Sequence, residues 1–141
     1  MRTIKFRAMR NNGKWVIGNY VHHFISYFDT IERHSIFLSN SENENGGHWV
    51  EDIITKTIGQ FTGLYDKDGN EIYEGDILKW DKGRLYVVKF LDGMFYASVE
   101  ECNEGILGGF PLHRLTEYED GKCEIVGNIH DNPELLKGGN K

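Results

Sequence analysis

Five carboxylates, Asp66, Asp68, Glu71, Glu74 and Asp76, fall within eleven residues of one another. Two or three that converge could hold Mg²⁺ for phosphoryl chemistry, given a Lys, Arg or His aimed at the same point. The run Asp66-Lys67-Asp68-Gly69-Asn70 also opens like a calcium-binding loop. Such a loop needs glycine at its sixth position and a bidentate glutamate at its twelfth. Counted from Asp66, those positions hold Glu71 and Ile77, so the match fails at both. Asp-Gly is a turn dipeptide, and a β-turn accounts for the same residues. The plainer reading of the five acids is solvated surface on an acidic protein. A carboxylate-metal enzyme built on residues 66–76 stands as a second alternative, and no metal ligand is assigned.

Other catalytic patterns are missing. The six histidines are His22, His23, His34, His48, His113 and His130, with no HExxH among them and no CxxC in the chain. His22 and His23 are adjacent, and neighbours on a strand point to opposite faces, so they cannot share one metal ion. No Gly-x-Ser-x-Gly, phosphate-loop or dinucleotide glycine pattern occurs. Cys102 and Cys123 lack a local activating motif and read as reduced cytosolic thiols. The expectation is a non-enzyme with no catalytic residue and no cofactor.

Binding chemistry has two sets of candidates. Lys5, Arg7, Arg10 and Lys14 lie close together near the amino end, and one basic face there would make a nucleic-acid binder, the first alternative function. The plainer reading is the solvated face of a strand. Residues 1–56 carry a net charge of +1 and residues 57–141 a net of −7. The acidic half argues against wrapping nucleic acid, because phosphate binding needs clustered Lys and Arg. The second set is aromatic: Trp80, Tyr86, Phe90, Phe95 and Tyr96 fall on adjacent expected strands. Small barrels use exposed rings to stack bases or grip peptides, and Tyr86 and Tyr96 are the candidates for such exposure.

The elements that position these residues are strands. Ile4, Phe6 and Ala8 alternate with Lys5, Arg7 and Met9, the period of a half-buried strand. Asn11-Asn12-Gly13 supplies a tight turn, and residues 14–21 return, which makes a β-hairpin. Residues 22–40 are rich in β-formers but ambiguous, with a turn drawn at residues 29–34. The polar tract 39–47 reads as a mobile loop, and β character resumes at His48. After the turn at residues 66–70, short strands follow at close spacing, with turns at Asp81-Lys82-Gly83 and Asp92-Gly93. That spacing points to a small barrel or sandwich. The glycine-rich run 105–112 sits where a barrel would need a long crossing loop. Ile58-Gly59-Gln60-Phe61 echoes Val126-Gly127-Asn128-Ile129, and the two would pair if they closed a barrel. Asn132-Pro133 marks the start of one short helical turn.

The run Ile58-Gly59-Gln60-Phe61-Thr62-Gly63-Leu64, continued by Asp66-Lys67, Gly69 and Glu71-Ile72-Tyr73-Glu74-Gly75-Asp76-Ile77, resembles the signature of the YopX family of phage and prophage proteins. Lys5-Phe6-Arg7-Ala8 resembles that family's amino-terminal tetrapeptide. The segment from Glu124 through Gly127-Asn128-Ile129 to Asn132-Pro133-Glu134-Leu135-Leu136 is similar to its ending. The resemblance implies a bacteriophage or prophage origin and a mainly β fold with an SH3-like barrel at the carboxyl end. It supplies no activity.

The expected architecture is therefore mainly β with little helix. An amino-terminal hairpin region, residues 1–56, packs on an SH3-like small barrel, residues 57–141. The expected function is a non-catalytic accessory protein of the bacterial cytoplasm. Its expected partners are a second copy of itself and an unidentified phage or host protein, with no membrane involved. No apolar run approaches the roughly 20 residues that cross a bilayer.

Overall fold

The computed structural model describes residues 1–26, 30–38, 46–80, 83–99, 109–117 and 123–137. Among these residues it is mainly β, with two antiparallel sheets and two short helices. The chain forms two compact units, Met1–Phe61 and Thr62–Lys141, each with its own core.

The first unit begins with the expected hairpin. Strand β1 (Phe6–Arg10) pairs antiparallel with β2 (Trp15–Ser26), Phe6 opposite Gly18 and Met9 opposite Trp15. The turn is held by the Arg10 amide donating to the Lys14 carbonyl at 2.8 Å and the Gly13 amide to Arg10 at 2.9 Å. Gly13 sits at φ 84°, a conformation that costs glycine nothing. β3 (Thr30–Leu38) follows, then β4 (His48–Val50) and β5 (Ile53–Tyr65). The order in this part of the sheet is β4-β3-β2-β1-β5. The turn expected over residues 29–34 is instead mostly strand β3, because residues 30–34 pair with β2. Tract 39–47, expected as a mobile loop, lies largely outside the described residues.

Ala8, Ile36, Val50 and Ile53 form this unit's core, with Phe6, Val16, Tyr20, Leu38 and Ile58 packed against it. The β1–β5 register jumps between Arg7 opposite Gly59 and Met9 opposite Ile54. Thr57 fills the jump. Its Oγ1 accepts the Met9 amide at 2.8 Å and donates to the Ile54 carbonyl at 2.6 Å. Two backbone groups that the ladder cannot pair are thereby satisfied.

The second unit begins inside β5, whose far end bears β6 (Glu71–Tyr73). A five-stranded sheet follows from β7 (Asp76–Trp80), β8 (Arg84–Leu91), β9 (Met94–Ser98), β10 (Gly109–Pro111) and β11 (Glu124–Asn128), in the order β10-β9-β8-β7-β11. The expected SH3-like barrel does not close. β10 and β11 are the two edges, and the echoing segments do not pair, since β11 lies on β7 and β5 on β1. The crossing loop drawn at 105–112 contains β10 in its described part.

Physical reasons for the open sheet are visible at both edges. β10 ends on Pro111, which has no amide to donate. β11 is bulged between Ile125 and Gly127. The core is covered by side chains instead. Leu112 and Leu115, the latter on α1 (Arg114–Glu117), join Ile72, Leu78, Tyr86, Val88, Ala97 and Cys123. The rings of Trp80, Tyr86 and Phe110 meet at centroid separations of 5.2–6.3 Å.

The helical turn expected at Asn132-Pro133 is present as α2 (Glu134–Lys137). Asn132 exchanges bonds with Asn128. Its amide donates to the Asn128 carbonyl at 2.8 Å, and its Oδ1 accepts the Asn128 amide at 3.3 Å. Gly127 leaves room for this lock, since a Cβ there would stand 2.5 Å from Asn132 Oδ1.

Candidate functional site

The acidic run is a joint. Asp66 is buried, and its two oxygens are spent on backbone and side-chain donors. Oδ1 accepts the Asp68 and Asn70 amides at 3.0 and 2.8 Å. Oδ2 accepts Asn70 Nδ2 at 3.3 Å and the Ile125 amide at 3.2 Å. Burial pushes this carboxyl up, but the donors from Asn70, Ile125 and Asp68 outweigh it and hold it below the ordinary value of 3.8. Asp76 is also buried and accepts the Tyr73 amide at 2.8 Å. Glu71 accepts the Tyr73 hydroxyl at 2.7 Å. Among the described residues, no three of the five acids 66–76 come together as a ligand group. The carboxylate-metal arrangement that would support an enzyme is not formed there.

The four basic candidates do not share one face. Lys5, just before β1, and Arg7 alternate with Phe6 and Ala8, and Arg10 falls on the side of Ala8. Lys5 lies over the Phe61 ring at 5.0 Å and Arg7 over Trp15 at 4.8 Å. Arg10 is forked onto Asp52, its Nε 3.2 and 3.1 Å from the two oxygens. That guanidinium donation holds the Asp52 carboxyl below its ordinary value. Lys14 is exposed at the hairpin turn. The aromatic candidates also divide. Tyr86 is 4% exposed in the core, which corrects the expectation of an exposed ring, and Tyr96 is half-buried on β9. Cys123 is buried. Burial, with help from the Asp66 charge, pushes its thiol up to about 11. Cys102 lies outside the described residues.

The arrangement that adjacent-residue reasoning misses is on β2 and β3. Their register runs from Asn19 opposite Phe37 to Ser26 opposite Thr30, and it sets His22 opposite His34. β1 reaches along β2 only to Gly18, and β4 along β3 only to Ile36. Beyond those points, residues 21–26 and 30–35 pair with each other alone among the described strands, as a two-stranded arm.

One face of this arm carries Tyr20, His22, Phe24, Glu32 and His34. Glu32 Oε1 lies 2.7 Å from His22 Nε2 and 3.1 Å from His34 Nε2. His34 Nδ1 is 2.6 Å from the Tyr20 hydroxyl. The His22 and His34 rings stack at 4.4 Å and 9°, and Phe24 tilts against His22 at 4.9 Å. Burial, then the Glu32 charge, raises the Tyr20 pKa above its ordinary value of 10.0. Among the described residues, His22, Glu32 and His34 are the group of three whose potential ligand atoms lie within 4.8 Å of one another. Phe24 is 61% exposed. The sequence signal for this face is period two: Tyr20, His22 and Phe24 on one strand, Glu32, His34 and Ile36 on the other.

The fold thus defines a mainly β protein of two sheets with two separate cores. The sequence profile described as YopX protein matches residues 5–137, and the chain belongs to the YopX family. Among solved structures, it is similar to the crystal structure of protein EF1440 from Enterococcus faecalis. The TM-score is 0.60 at 24% identity, covering 96% of this chain and 99% of that one. That likeness carries the fold alone. No curated protein matches the chain. No helix among the described residues is long and apolar enough to cross a membrane.

Proposed function

We propose that the protein is a phage- or prophage-encoded accessory module of the bacterial cytoplasm, without catalytic activity of its own, that works by associating with a second copy of itself through the β2–β3 arm. YopX membership supports the origin. The observation that carries the association is the arm: residues 21–26 and 30–35 have no further strand beside them among the described pairings.

A two-stranded ribbon is marginally stable in water, and its open edges are templates for pairing. A second copy brings an identical edge. Twofold contact then satisfies both sets of backbone groups at once, and residue contacts become reciprocal. Phe24 adds apolar surface that gains by being covered. Sedimentation equilibrium of the full chain tests this reading. The expected mass is about twice the 16.3 kDa of one chain at micromolar concentration. A single species of monomer mass across that range overturns it.

A further inference from the structure

We infer that His22, Glu32 and His34 form a binding site for one divalent transition-metal ion of the zinc class. This does not rest on the self-association reading, because all three donors come from one chain. Each residue offers one ligand atom, and the three atoms lie within 4.8 Å of one another. Two imidazole nitrogens with one carboxylate oxygen suit a borderline ion such as Zn²⁺ or Co²⁺. Mg²⁺ takes oxygen ligands and is disfavoured by two nitrogens.

The spacing fits. A tetrahedral ion with bonds of about 2.0–2.1 Å sets its ligand atoms roughly 3.3 Å apart. The two histidine nitrogens stand 2.7 and 3.1 Å from Glu32 Oε1, so those pairs open slightly, and all three ligand atoms already lie within 4.8 Å of one another. The rings are nearly parallel and must splay to aim both lone pairs at one point. Histidine χ2 is soft enough for that rotation.

Tyr20 provides the outer support. Without metal, the tautomer with its proton on Nε2 lets His34 donate to Glu32 Oε1 and accept the Tyr20 hydroxyl at Nδ1. With metal on Nε2, the proton moves to Nδ1, which then donates to the Tyr20 oxygen. A phenol can fill either role, and a hydrogen bond of this kind to the far nitrogen of a ligating ring fixes the tautomer and the ring orientation. His22, Glu32 and His34 have side chains 37%, 54% and 22% exposed, so solvent reaches the ion and water completes its coordination. The ion would tie β2 to β3 where no other strand among the described residues pairs with them.

The test uses the full chain without a histidine tag. Zn²⁺ is titrated by calorimetry, and Co²⁺ by its visible absorption. One equivalent is expected to bind, and the His22→Ala/His34→Ala double variant is expected to lose it, with folding verified by circular dichroism. Failure of the wild-type chain to bind either ion at millimolar metal overturns the site. So does one equivalent bound undiminished by the double variant, since the ion then sits elsewhere.

Discussion

The Asp66 carboxylate accepts the backbone amide of Ile125 at 3.2 Å, joining positions 59 residues apart. The same carboxylate holds its own turn through Asp68 and Asn70. One side chain therefore closes a local bend and ties it to β11. Its charge is structural, and its loss should be read in stability.

Asp66→Ala leaves the amides of Asp68, Asn70 and Ile125 without this acceptor and is expected to cost about 2–3 kcal/mol at pH 7. The folded-state pKa of Asp66 is depressed. Its contribution is therefore fully present above the unfolded value, about 3.9, and is lost as pH falls through the lower folded value. Urea midpoints of the two proteins should differ at pH 7 and converge as pH drops below about 4. A gap that stays constant into that acid range contradicts the assignment.

Gly127 and Asn132 should behave as a coupled pair. A Cβ at position 127 would meet Asn132 Oδ1 at 2.5 Å and Cγ at 2.8 Å, and moving Asn132 breaks its bond to the Asn128 amide. Gly127→Ala is expected to cost roughly 1–3 kcal/mol by crowding. In an Asn132→Ala background most of that cost should vanish, so a double-mutant cycle reads it directly. Additive losses would mean the close approach does not decide the residue.

These two cases separate what the sequence discloses from what it withholds. The turn at 66–70 and the helix start at Asn132-Pro133 are local chemistry, and residue types announce them. The bond from Asp66 to Ile125 is not local, so the same acids also fit a metal-loop reading until their partners are seen. The open sheet is withheld for a similar reason. Strand spacing predicts neighbours, whereas closure depends on whether the edge strands β10 and β11 meet, which spacing does not tell. The His22–His34 pairing was legible in principle. It follows from the hairpin register, but residues 22–40 are rich in β-formers throughout, and nothing local marks where the turn falls.

Cys123 should be inert in the folded protein. Its thiol is buried and pushed up to about 11, so the reactive thiolate is scarce at neutral pH. In a Cys102→Ser background, iodoacetamide is expected to label the chain only as fast as it unfolds, with labelling accelerating in urea. Rapid native labelling would contradict the burial.

Tyr86 and Phe24 should give opposite phenotypes. Tyr86 packs against Trp80 and Phe110 in the core, so Tyr86→Ala is expected to cost about 3–5 kcal/mol. Phe24 is exposed, so Phe24→Thr, which keeps a strand-forming residue and adds no charge opposite Glu32, should leave monomer stability within about 0.5 kcal/mol while weakening association at least tenfold. Denaturation and sedimentation velocity on the two variants separate these effects. A Phe24→Thr protein that associates like wild type removes Phe24 from the interface.

Backbone amide exchange on the full chain, followed as concentration is raised through the range where its mass changes, asks most directly whether the β2–β3 arm is the contact between copies. Protection is predicted to rise at residues 21–26 and 30–35 and to stay constant across β7, β8 and β9. Arm protection that does not change while the mass rises, or a rise confined to other strands, would contradict the proposed role of the arm.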